Sequence, residues 1–340
     1  MIVRSKAPLR IGLAGGGTDV SPYSDIYGGA ILNATIDLYA YASIIPNDSG
    51  EIVLNALDKG EKVVCESTQK LEIDGTLDLL KGVYNRIVKD YTKKPLSFEL
   101  QTFVDAPPGS GLGSSSTLVV AILGAFVEWL KLPLGEYDIA HLAYEIERND
   151  LGFSGGKQDQ YAATFGGFNF MEFYSDDKVI VNPLRIKEDY KNELEFNFAL
   201  YFTGTSRLSS AIIDDQTKNV QDKKAAPIEA MHQLKQQAQE MKEALLRGSL
   251  RQIGIILDNG WQHKKKMSGS VTTPEINKVY EAAKNLGALG GKVSGAGGGG
   301  FMMLYCPGTK VNVTNGLEKM QGEVKNFHFT EKGLCTWTIL

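Results

Sequence analysis

The stretch Pro107-Pro108-Gly109-Ser110-Gly111-Leu112-Gly113-Ser114-Ser115-Ser116 decides how the rest of the chain is interpreted. Its small residues leave successive backbone N–H groups open to a ligand. The run Thr117–Leu123 that follows is apolar almost all round, which predicts a deeply buried helix over Ser114–Lys131. Because the first N–H groups of a helix carry partial positive charge, the loop is predicted to bind phosphate groups.

Two common nucleotide-binding patterns do not fit the glycine clusters. No Gly-Lys-Ser or Gly-Lys-Thr follows the central stretch, so it is not a Walker A loop. Gly295, Gly297 and Gly300 satisfy G-x-G-x-x-G, but they precede Phe301–Tyr305, a strand pattern instead of a helix. A Rossmann fold is therefore not predicted, and we expect these glycines to form a loop packed closely against the central stretch.

Composition narrows the class of protein. The chain has 340 residues with 43% hydrophobic and 22% charged content, which indicates a globular protein of two domains or one large domain. Its 36 Lys and Arg against 40 Asp and Glu give a formal charge of −4, which argues against a nucleic-acid partner. No stretch approaches the roughly 20 apolar residues that span a bilayer, so we expect a cytoplasmic protein with no membrane partner.

Cysteine and histidine spacing argues against a soft-metal site. Cys65, Cys306 and Cys335 are far apart and form no C-x-x-C pair, so neither a disulfide framework nor a thiolate zinc site is predicted. The four histidines are equally scattered, and none is predicted to bind a metal.

Hydrophobic periodicity predicts a mixture of strands and helices. Strands are predicted over Ala30–Ile45, Glu61–Cys65, Phe98–Val104, Phe196–Phe202, Phe301–Cys306 and Cys335–Ile339, and helices over Leu77–Val88, Ser114–Lys131, Glu136–Arg148 and Ala225–Leu246, with another starting at Thr273-Pro274. We expect a domain boundary near residue 190, giving domains 1–190 and 191–340, with the last two strands completing an α+β C-terminal half. On the predicted helix Glu136–Arg148, Glu145 and Glu147 lie off the apolar stripe, so at least one is free for another role.

Three motifs occur in order along nearly the whole chain: Ala7–Ile11, the central stretch, and Lys292–Gly300. Together they resemble the GHMP kinase superfamily. Ala14–Asp19 and Gly155–Gln160 are similar to its sugar-1-kinase branch. The resemblance implies a two-domain α+β fold, with an N-terminal α/β domain and a ferredoxin-like C-terminal domain. It also implies an active site in the cleft between the domains.

The resemblance implies ATP and Mg²⁺ as cofactors. The residues implied to bind ATP are Pro108, Gly109, Ser110, Gly111, Leu112, Gly113, Ser114, Ser115 and Ser116. Ser115, or else Ser116, would hold Mg²⁺ together with an acidic residue, because Mg²⁺ prefers hard oxygen ligands. Glu147 is the implied carboxylate, and Glu145 is the alternative.

Asp159 matches the family's catalytic aspartate, which implies that it is the general base for the acceptor hydroxyl. Arg10 stands where many members of the superfamily carry lysine. Arginine does not release a proton under ordinary conditions, but its planar fork can hold a carboxylate and phosphoryl oxygens together. We therefore expect Arg10 to position the reacting groups instead of moving a proton.

The candidate substrate residues are Gly17, Thr18, Asp19, Lys157, Arg207 and Gly297, of which the resemblance supports Asp19 as an acceptor of hydrogen bonds from sugar hydroxyls. Because a phosphorylated substrate needs cations away from the ATP loop, Lys157, Arg207 and the run Lys264–Lys266 are candidates for binding its phosphate. The implied reaction is ATP-dependent phosphorylation of the anomeric hydroxyl of D-glycero-α-D-manno-heptose 7-phosphate, on the route to nucleotide-activated heptose. Phosphorylation of a free sugar such as fucose and a non-catalytic sensor on the same fold are the alternatives. The implied partners are a sugar phosphate and ATP, and both monomer and homodimer stay open.

Overall fold

The computed structural model describes residues 1–204 and 209–340. These ranges contain twelve β-strands, in chain order β1 (Ile2–Ala14), β2 (Gly29–Pro46), β3 (Glu51–Ala56), β4 (Glu61–Glu66), β5 (Phe98–Val104), β6 (Phe168–Phe173), β7 (Val179–Pro183), β8 (Phe198–Phe202), β9 (Gly290–Val293), β10 (Phe301–Tyr305), β11 (Glu323–Lys325) and β12 (Cys335–Ile339).

The same ranges contain eleven α-helices, in chain order α1 (Tyr23–Tyr27), α2 (Asp78–Ile87), α3 (Ser114–Leu130), α4 (Glu136–Glu145), α5 (Gln158–Phe165), α6 (Glu188–Asn197), α7 (Ser209–Gln221), α8 (Ala225–Arg247), α9 (Leu250–Met267), α10 (Pro274–Asn285) and α11 (Lys310–Leu317). Two π-helical turns, Val88–Thr92 and Ile146–Asp150, extend α2 and α4, and Gly269–Val271 forms a 3₁₀ turn. None of the helices in the described ranges has the length and hydropathy needed to cross a bilayer.

The first sheet is built around the 18-residue strand β2. The strand order is β12-β1-β2-β5-β3-β4. On the edge of β2 that faces β5, the first part of β2 pairs with β6, and β6 pairs with β7. All pairings are antiparallel except that of β3 with β5. Because β2 is so long, β1 beside it carries the Ala7–Ile11 motif through the middle of the sheet, where both faces are covered.

Helix α3 packs against β1 and β2 and is buried on nearly every side. Every residue from Ser116 to Phe126 is buried, as the all-round apolar sequence predicts. Lys131, which follows the helix, takes a left-handed conformation with φ 53°. The body of α3 is thereby fixed in the core, while its first residues, Ser114 and Ser115, lie at the surface with the helix N–H groups directed at the loop before it.

The second sheet has the order β11-β8-β10-β9, and all its pairings are antiparallel. Taken in chain order its strands therefore lie 4-1-3-2, which is the ferredoxin-like arrangement that was expected. Thr273 accepts a hydrogen bond from the Ile276 N–H and begins α10 with Pro274 at its first position, as predicted from the sequence.

One predicted placement is wrong. Strand Cys335–Ile339 was expected to complete the C-terminal half, but it pairs antiparallel with β1, from Ile2 opposite Ile339 to Lys6 opposite Cys335. The chain end returns to the first sheet because β1 has an open edge there. The division at residue 190 stays a prediction, and the C-terminal range 191–340 includes a strand of the N-terminal sheet.

The largest hydrophobic cluster of the described residues contains side chains from both halves. Helix α8 packs against β1 and β2, and its residues Ala238, Met241 and Leu245 are buried in the same cluster as Leu9 of β1. This packing fixes the second half against the first, so that loops of both halves meet at one cavity.

Candidate active site

A cavity of about 460 Å³ lies where the three motifs meet. The N-terminal half lines it with Arg10 of β1, the loop after β1, the central stretch, the π-helical turn Ile146–Asp150 and the segment before α5. The C-terminal half contributes Lys264 from α9 and the segment Ser294–Gly297 that follows β9. Residues more than 280 positions apart in the sequence therefore form one wall.

The central loop and the Ser294–Gly300 loop pack backbone to backbone, as expected. Gly111 has a φ of +78°, and a side chain there would overlap the Ser294 carbonyl oxygen. The Phe301 N–H donates to the Ser110 carbonyl oxygen at 2.8 Å. Because β10 and not a helix follows these glycines, the Rossmann interpretation is excluded by the structure as well.

The nine residues predicted to bind ATP play two different parts. The cavity is lined by Gly109, Gly111, Gly113, Ser114, Ser115 and Ser116, whereas Pro108, Ser110 and Leu112 are not on its surface. Ser110 and Leu112 are buried, and their carbonyl oxygens accept hydrogen bonds from Phe301 and Arg10. They hold the loop in place from behind.

Arg10 and Asp159 form an ion pair at the centre of the cavity wall. Arg10 Nε and a terminal guanidinium nitrogen lie 2.8 and 2.6 Å from Asp159 Oδ1. The other terminal nitrogen donates to the Gly111 carbonyl oxygen at 2.6 Å. Arg10 is thus held by the Asp159 carboxylate and by the backbone of the central stretch at once.

The second oxygen of Asp159 is left for a ligand. No donor within the described residues reaches Oδ2. It faces Gly113, where a Cβ atom would stand 3.2 Å away. The side chain of Asp159 is 22% exposed, whereas that of Arg10 is 4% exposed, so the carboxylate is the part of the pair that a substrate can reach.

Glu147 lies on the π-helical turn after α4, and the turn directs it inward. Its Oε1 accepts from Ser116 Oγ at 3.0 Å, and its Oε2 accepts from Gln160 Nε2 at 2.5 Å. Burial raises the pKa of this carboxyl, although Arg148 and its two hydrogen bonds oppose the shift. A wider turn at a functional position is a common use of π geometry.

Glu145, the alternative carboxylate, lies elsewhere. It pairs with Arg86, outside the cavity. The structure therefore brings Glu147, and not Glu145, to the central stretch, where Ser116 donates to it. Of the two candidate serines, Ser116 contacts Glu147, whereas Ser115 is exposed on the cavity surface without such a contact.

The donor set fits a magnesium ion. Within the described part of the chain no three or more His, Cys, Asp or Glu side chains cluster as a metal cage. Mg²⁺ does not need such a cage, because it usually takes one or two carboxylates and fills its other positions with substrate phosphates and water. Glu147 and Ser116 supply a carboxylate and a hydroxyl, both hard oxygens, at the wall of the cavity.

Three of the predicted substrate residues, Gly17, Asp19 and Gly297, line the cavity. Asp19 accepts from the Gln158 N–H at 3.1 Å, and burial raises its pKa. Thr18 is turned away, because its hydroxyl donates to the Gly15 and Ala30 carbonyl oxygens. Thr18 therefore shapes the loop and does not face the ligand space.

Lys157 does not reach the cavity, contrary to expectation. Its side chain is 1% exposed, and its Nζ lies 2.8 Å from Asp177 Oδ1 and 3.5 Å from Asp25 Oδ1. The ammonium group that was predicted to bind a substrate phosphate therefore pairs with two carboxylates of the protein itself. Arg207 lies outside the described residues.

Within the run Lys264–Lys266, only Lys264 faces inward. It is 3% exposed and lines the cavity, and it donates to the Gly295 carbonyl oxygen. Burial lowers its pKa to about 8, with Arg10 acting in the same direction. Lys266 is exposed, and Lys265 is half-buried with its Nζ 5.8 Å from the centre of the Trp261 ring.

Sequence reasoning missed two residues that the site brings in. Gln160 binds both Glu147 and Ser116, at 2.5 and 3.1 Å. Lys292 is 95% buried beside Lys264 and Arg10, and burial holds its pKa well below the usual value. Lys292 is the first residue of the third motif, so its position in that motif was the available signal.

Comparisons with known proteins agree with this architecture. The family model described as GHMP kinases N terminal domain matches residues 78–167, and that described as GHMP kinases C terminal matches residues 241–321. The D-glycero-alpha-D-manno-heptose 7-phosphate kinase of Campylobacter jejuni is 52% identical over 338 residues, covering 99% of both chains.

Two further relatives cover most of this chain. A crystal structure described as a D-glycero-D-manno-heptose 1-phosphate kinase from Bacteroides thetaiotaomicron is 51% identical, with a TM-score of 0.86 and 99% of each chain covered. The L-fucokinase/L-fucose-1-P guanylyltransferase of Bacteroides fragilis is 26% identical over 89% of this chain and 34% of that longer protein.

Proposed function

The chain belongs to the GHMP kinase family, and on that premise we propose that it transfers the γ-phosphoryl group of ATP to the anomeric hydroxyl of D-glycero-α-D-manno-heptose 7-phosphate. The observation that carries the proposal is the Arg10–Asp159 pair, whose free carboxylate oxygen faces the start of the nucleotide loop. The 52% identity to a kinase of this sugar phosphate over 99% of both chains supports the choice of acceptor.

The central stretch Pro107–Ser116, which we call the nucleotide loop, binds the phosphates of ATP. Gly109, Gly111 and Gly113 have φ of 72°, 78° and 78°, a conformation in which backbone N–H groups can turn toward one ligand. The first turn of α3, beginning at Ser114, adds helix N–H groups and the partial positive charge of the helix end. These groups hold the transferring phosphate without any change in their own protonation.

Asp159 accepts the proton of the attacking hydroxyl. The hydroxyl oxygen forms a bond to the γ-phosphorus, the bond from that phosphorus to the bridging oxygen of ADP breaks, and the hydroxyl proton moves to Asp159 Oδ2. Arg10 holds Oδ1, which keeps Oδ2 directed at the acceptor. Arg10 is therefore a positioning residue for the base, and its charge also favours the anionic phosphoryl group.

Glu147 and Ser116 would hold Mg²⁺, which when bound would neutralise charge on the ATP phosphates. Gln160 fixes the Glu147 carboxylate from the opposite side. Ser116 lies in the first turn of α3, and Gln160 and Asp159 lie in the first turn of α5, so two neighbouring helices position both the proposed metal site and the base.

Asp19 is proposed to bind sugar hydroxyls. It lines the cavity, and the Gln158 N–H fixes its orientation next to Asp159. A Cβ atom at Gly156 would overlap the Asp19 carboxylate, so the backbone packs closely against the Asp19 side chain and restricts its orientation. A rigid acceptor beside the base selects the hydroxyl that reacts.

Rates of ADP formation on a panel of acceptors test the proposed substrate. The purified protein should use heptose 7-phosphate with a kcat/KM at least 100-fold above that for the free heptose and for L-fucose. Equal values for the phosphorylated and free heptose would shift the assignment to a free-sugar kinase, which the partial likeness to an L-fucokinase leaves open. Binding of ATP and sugar without ADP formation on any acceptor would indicate a sensor.

We further propose that the enzyme acts in the cytoplasm, where ATP and sugar phosphates are both present. Fractionation of cells that produce the untagged chain, followed by immunoblotting, would test this location. Recovery of the protein in the membrane or secreted fraction would contradict it.

A further inference from the structure

Three buried cations lie close together; Arg10 and Lys264 line the cavity, and Lys292 lies beside them next to Gly16. They come from three separate elements: Arg10 from β1, Lys264 from α9 and Lys292 from β9, and they are 3%, 3% and 5% exposed. Arg10 is paired with Asp159. Within the described residues, Lys292 Nζ has neither a hydrogen bond nor an ion pair, and Lys264 Nζ donates to a single backbone carbonyl oxygen.

The two lysines converge on one point beside Gly16. A Cβ atom built on Gly16 would lie 3.9 Å from Lys264 Nζ and 3.9 Å from Lys292 Nζ, with no other atom closer. The two ammonium groups are therefore no more than twice that distance apart. Gly16 and Lys264 line the cavity, so the space between the lysines adjoins it.

Such an arrangement is costly without an anion. Burying one unpaired ammonium group is unfavourable, and a second cation nearby adds repulsion. Burial lowers the pKa of both lysines, and the neighbouring cations lower it further. Charged oxygen atoms placed between the two lysines would remove both the desolvation cost and the repulsion.

We propose that Lys264 and Lys292, with Arg10, form a buried site for a phosphate group of a substrate, held beside Gly16. The proposal rests on the proposed kinase function, since that function supplies two ligands with terminal phosphates. One source is the γ-phosphoryl group of ATP, and the other is the phosphate already present on the acceptor. Both offer a compact dianion that matches two ammonium groups and a guanidinium.

Binding without turnover distinguishes the two sources. Isothermal titration calorimetry would measure four ligands: ADP, AMP-PNP, heptose 7-phosphate and free heptose. Lys292→Met should weaken either AMP-PNP or heptose 7-phosphate by at least 10-fold and leave ADP and free heptose within twofold. Loss confined to AMP-PNP assigns the γ-phosphoryl group, and loss confined to heptose 7-phosphate assigns the acceptor phosphate.

Gly16→Ala provides a second variant that keeps both lysines. Its methyl group would enter the space between the two ammonium groups at ordinary contact distances, and the φ of Gly16 is not in the left-handed region. It should weaken the same ligand as Lys292→Met does. Gly269→Ala, with nothing within 4 Å of the added carbon, and Lys266→Met, at an exposed position of α9, are the matched controls.

Proton uptake gives a readout that a purely structural role would not change. An arriving anion raises the pKa of Lys264 from about 8, so at pH 8 the protein should take up protons on binding. The charged groups around Lys264 are Arg10, Asp19, Lys292 and, through Arg10, Asp159. Titrations in buffers of different ionisation enthalpy measure the uptake, which Lys264→Met should reduce; the uptake that is left should come from Lys292, whose pKa burial also lowers.

The proposal is overturned if Lys292→Met and Gly16→Ala both bind all four ligands within twofold of the unmodified protein. This failure is separate from failure of the kinase function, because the unmodified protein's activity on heptose 7-phosphate is measured independently. An active enzyme whose variants bind normally would refute the phosphate site alone.

Discussion

Arg10 and Asp159, 149 positions apart in the sequence, share one carboxylate oxygen: two nitrogens of the guanidinium approach Oδ1 at 2.8 and 2.6 Å, while Oδ2 is left to the cavity. This asymmetry separates two tasks within one carboxylate. One oxygen is fixed by a permanent cation, and the other can accept a proton from an alcohol. The same guanidinium also donates to the Gly111 carbonyl oxygen, which ties the base to the nucleotide loop.

Asp159→Asn should lower kcat by about 10²- to 10⁴-fold, because the amide cannot take the hydroxyl proton. The affinity for AMP-PNP should stay within a few-fold, since the nucleotide loop does not depend on this side chain. Single-turnover rates and AMP-PNP titration would measure the two effects. Near-normal kcat in the variant would remove Asp159 from the role of base.

Arg10→Lys should lower kcat although the charge is kept. An ammonium group cannot contact Asp159 Oδ1 through two nitrogens and reach the Gly111 carbonyl oxygen as well. Loss of charge-assisted hydrogen bonds of this kind corresponds to about 1.5–3 kcal/mol, or roughly 10- to 150-fold in rate. Steady-state kinetics would show it, and an unchanged kcat would mean that positive charge alone suffices at this position.

Glu147→Gln should raise the Mg²⁺ concentration needed for half-maximal rate at least 10-fold, because the amide is a weaker ligand for a hard cation. Glu145→Gln is the matched control, since Glu145 pairs with Arg86 outside the cavity. Ser116→Ala should act like Glu147→Gln, and Ser115→Ala should have less effect. A Mg²⁺ effect in Glu145→Gln alone would overturn the assignment.

Gly111→Ala should impair ATP binding beyond the effect of backbone strain. Its φ is +78°, and the added carbon would overlap the Ser294 carbonyl oxygen. Gly50 has the same φ of +78° with nothing within 4 Å, so Gly50→Ala reports the strain alone. AMP-PNP affinity should fall in Gly111→Ala and not in Gly50→Ala, and equal affinities would show that the contact between the two loops does not shape the nucleotide site.

Lys264→Met should stabilise the protein at neutral pH. Folding lowers the pKa of Lys264 from 10.5 to about 8, so between these two pH values the folded protein binds fewer protons than the unfolded chain. The free-energy cost of burying the protonated lysine therefore grows as pH falls from 10.5, and it is complete below pH 8. The shift corresponds to on the order of 3 kcal/mol. The Tm difference between Lys264→Met and the unmodified protein should therefore grow from pH 10 to pH 8 and then level off. A Tm difference that stays constant over this pH range would contradict the assignment.

Much of the fold followed from periodicity because the elements concerned are long and well buried. Helix α3 was predicted over Ser114–Lys131 and spans Ser114–Leu130, and β5 was predicted over the residues it occupies, Phe98–Val104. The sheet to which strand Cys335–Ile339 belongs was predicted wrongly. Its sequence shows that it is a strand, but an alternating pattern does not specify which sheet edge accepts it.

The site was predicted unevenly for a physical reason. The glycine loop and Asp159 are marked by local motifs, and local sequence decided them. The position of the Lys157 ammonium group is set by its ion pairs with Asp25 and Asp177. These residues come together only on folding, and nothing near Lys157 in the sequence indicates the pairing. Likewise Lys264 and Lys292 become neighbours through the packing of α9 on β9, which no sequence spacing reveals.

Product analysis by ³¹P NMR tests the account's central claim most directly. The purified protein would be incubated with ATP, Mg²⁺ and D-glycero-α-D-manno-heptose 7-phosphate, with Asp159→Asn as the matched control. The account predicts a second phosphate resonance coupled to the anomeric proton, an unchanged 7-phosphate resonance and one ADP per phosphate transferred, all absent with Asp159→Asn. A new phosphate on any other carbon, or no transfer by the unmodified protein, would contradict it.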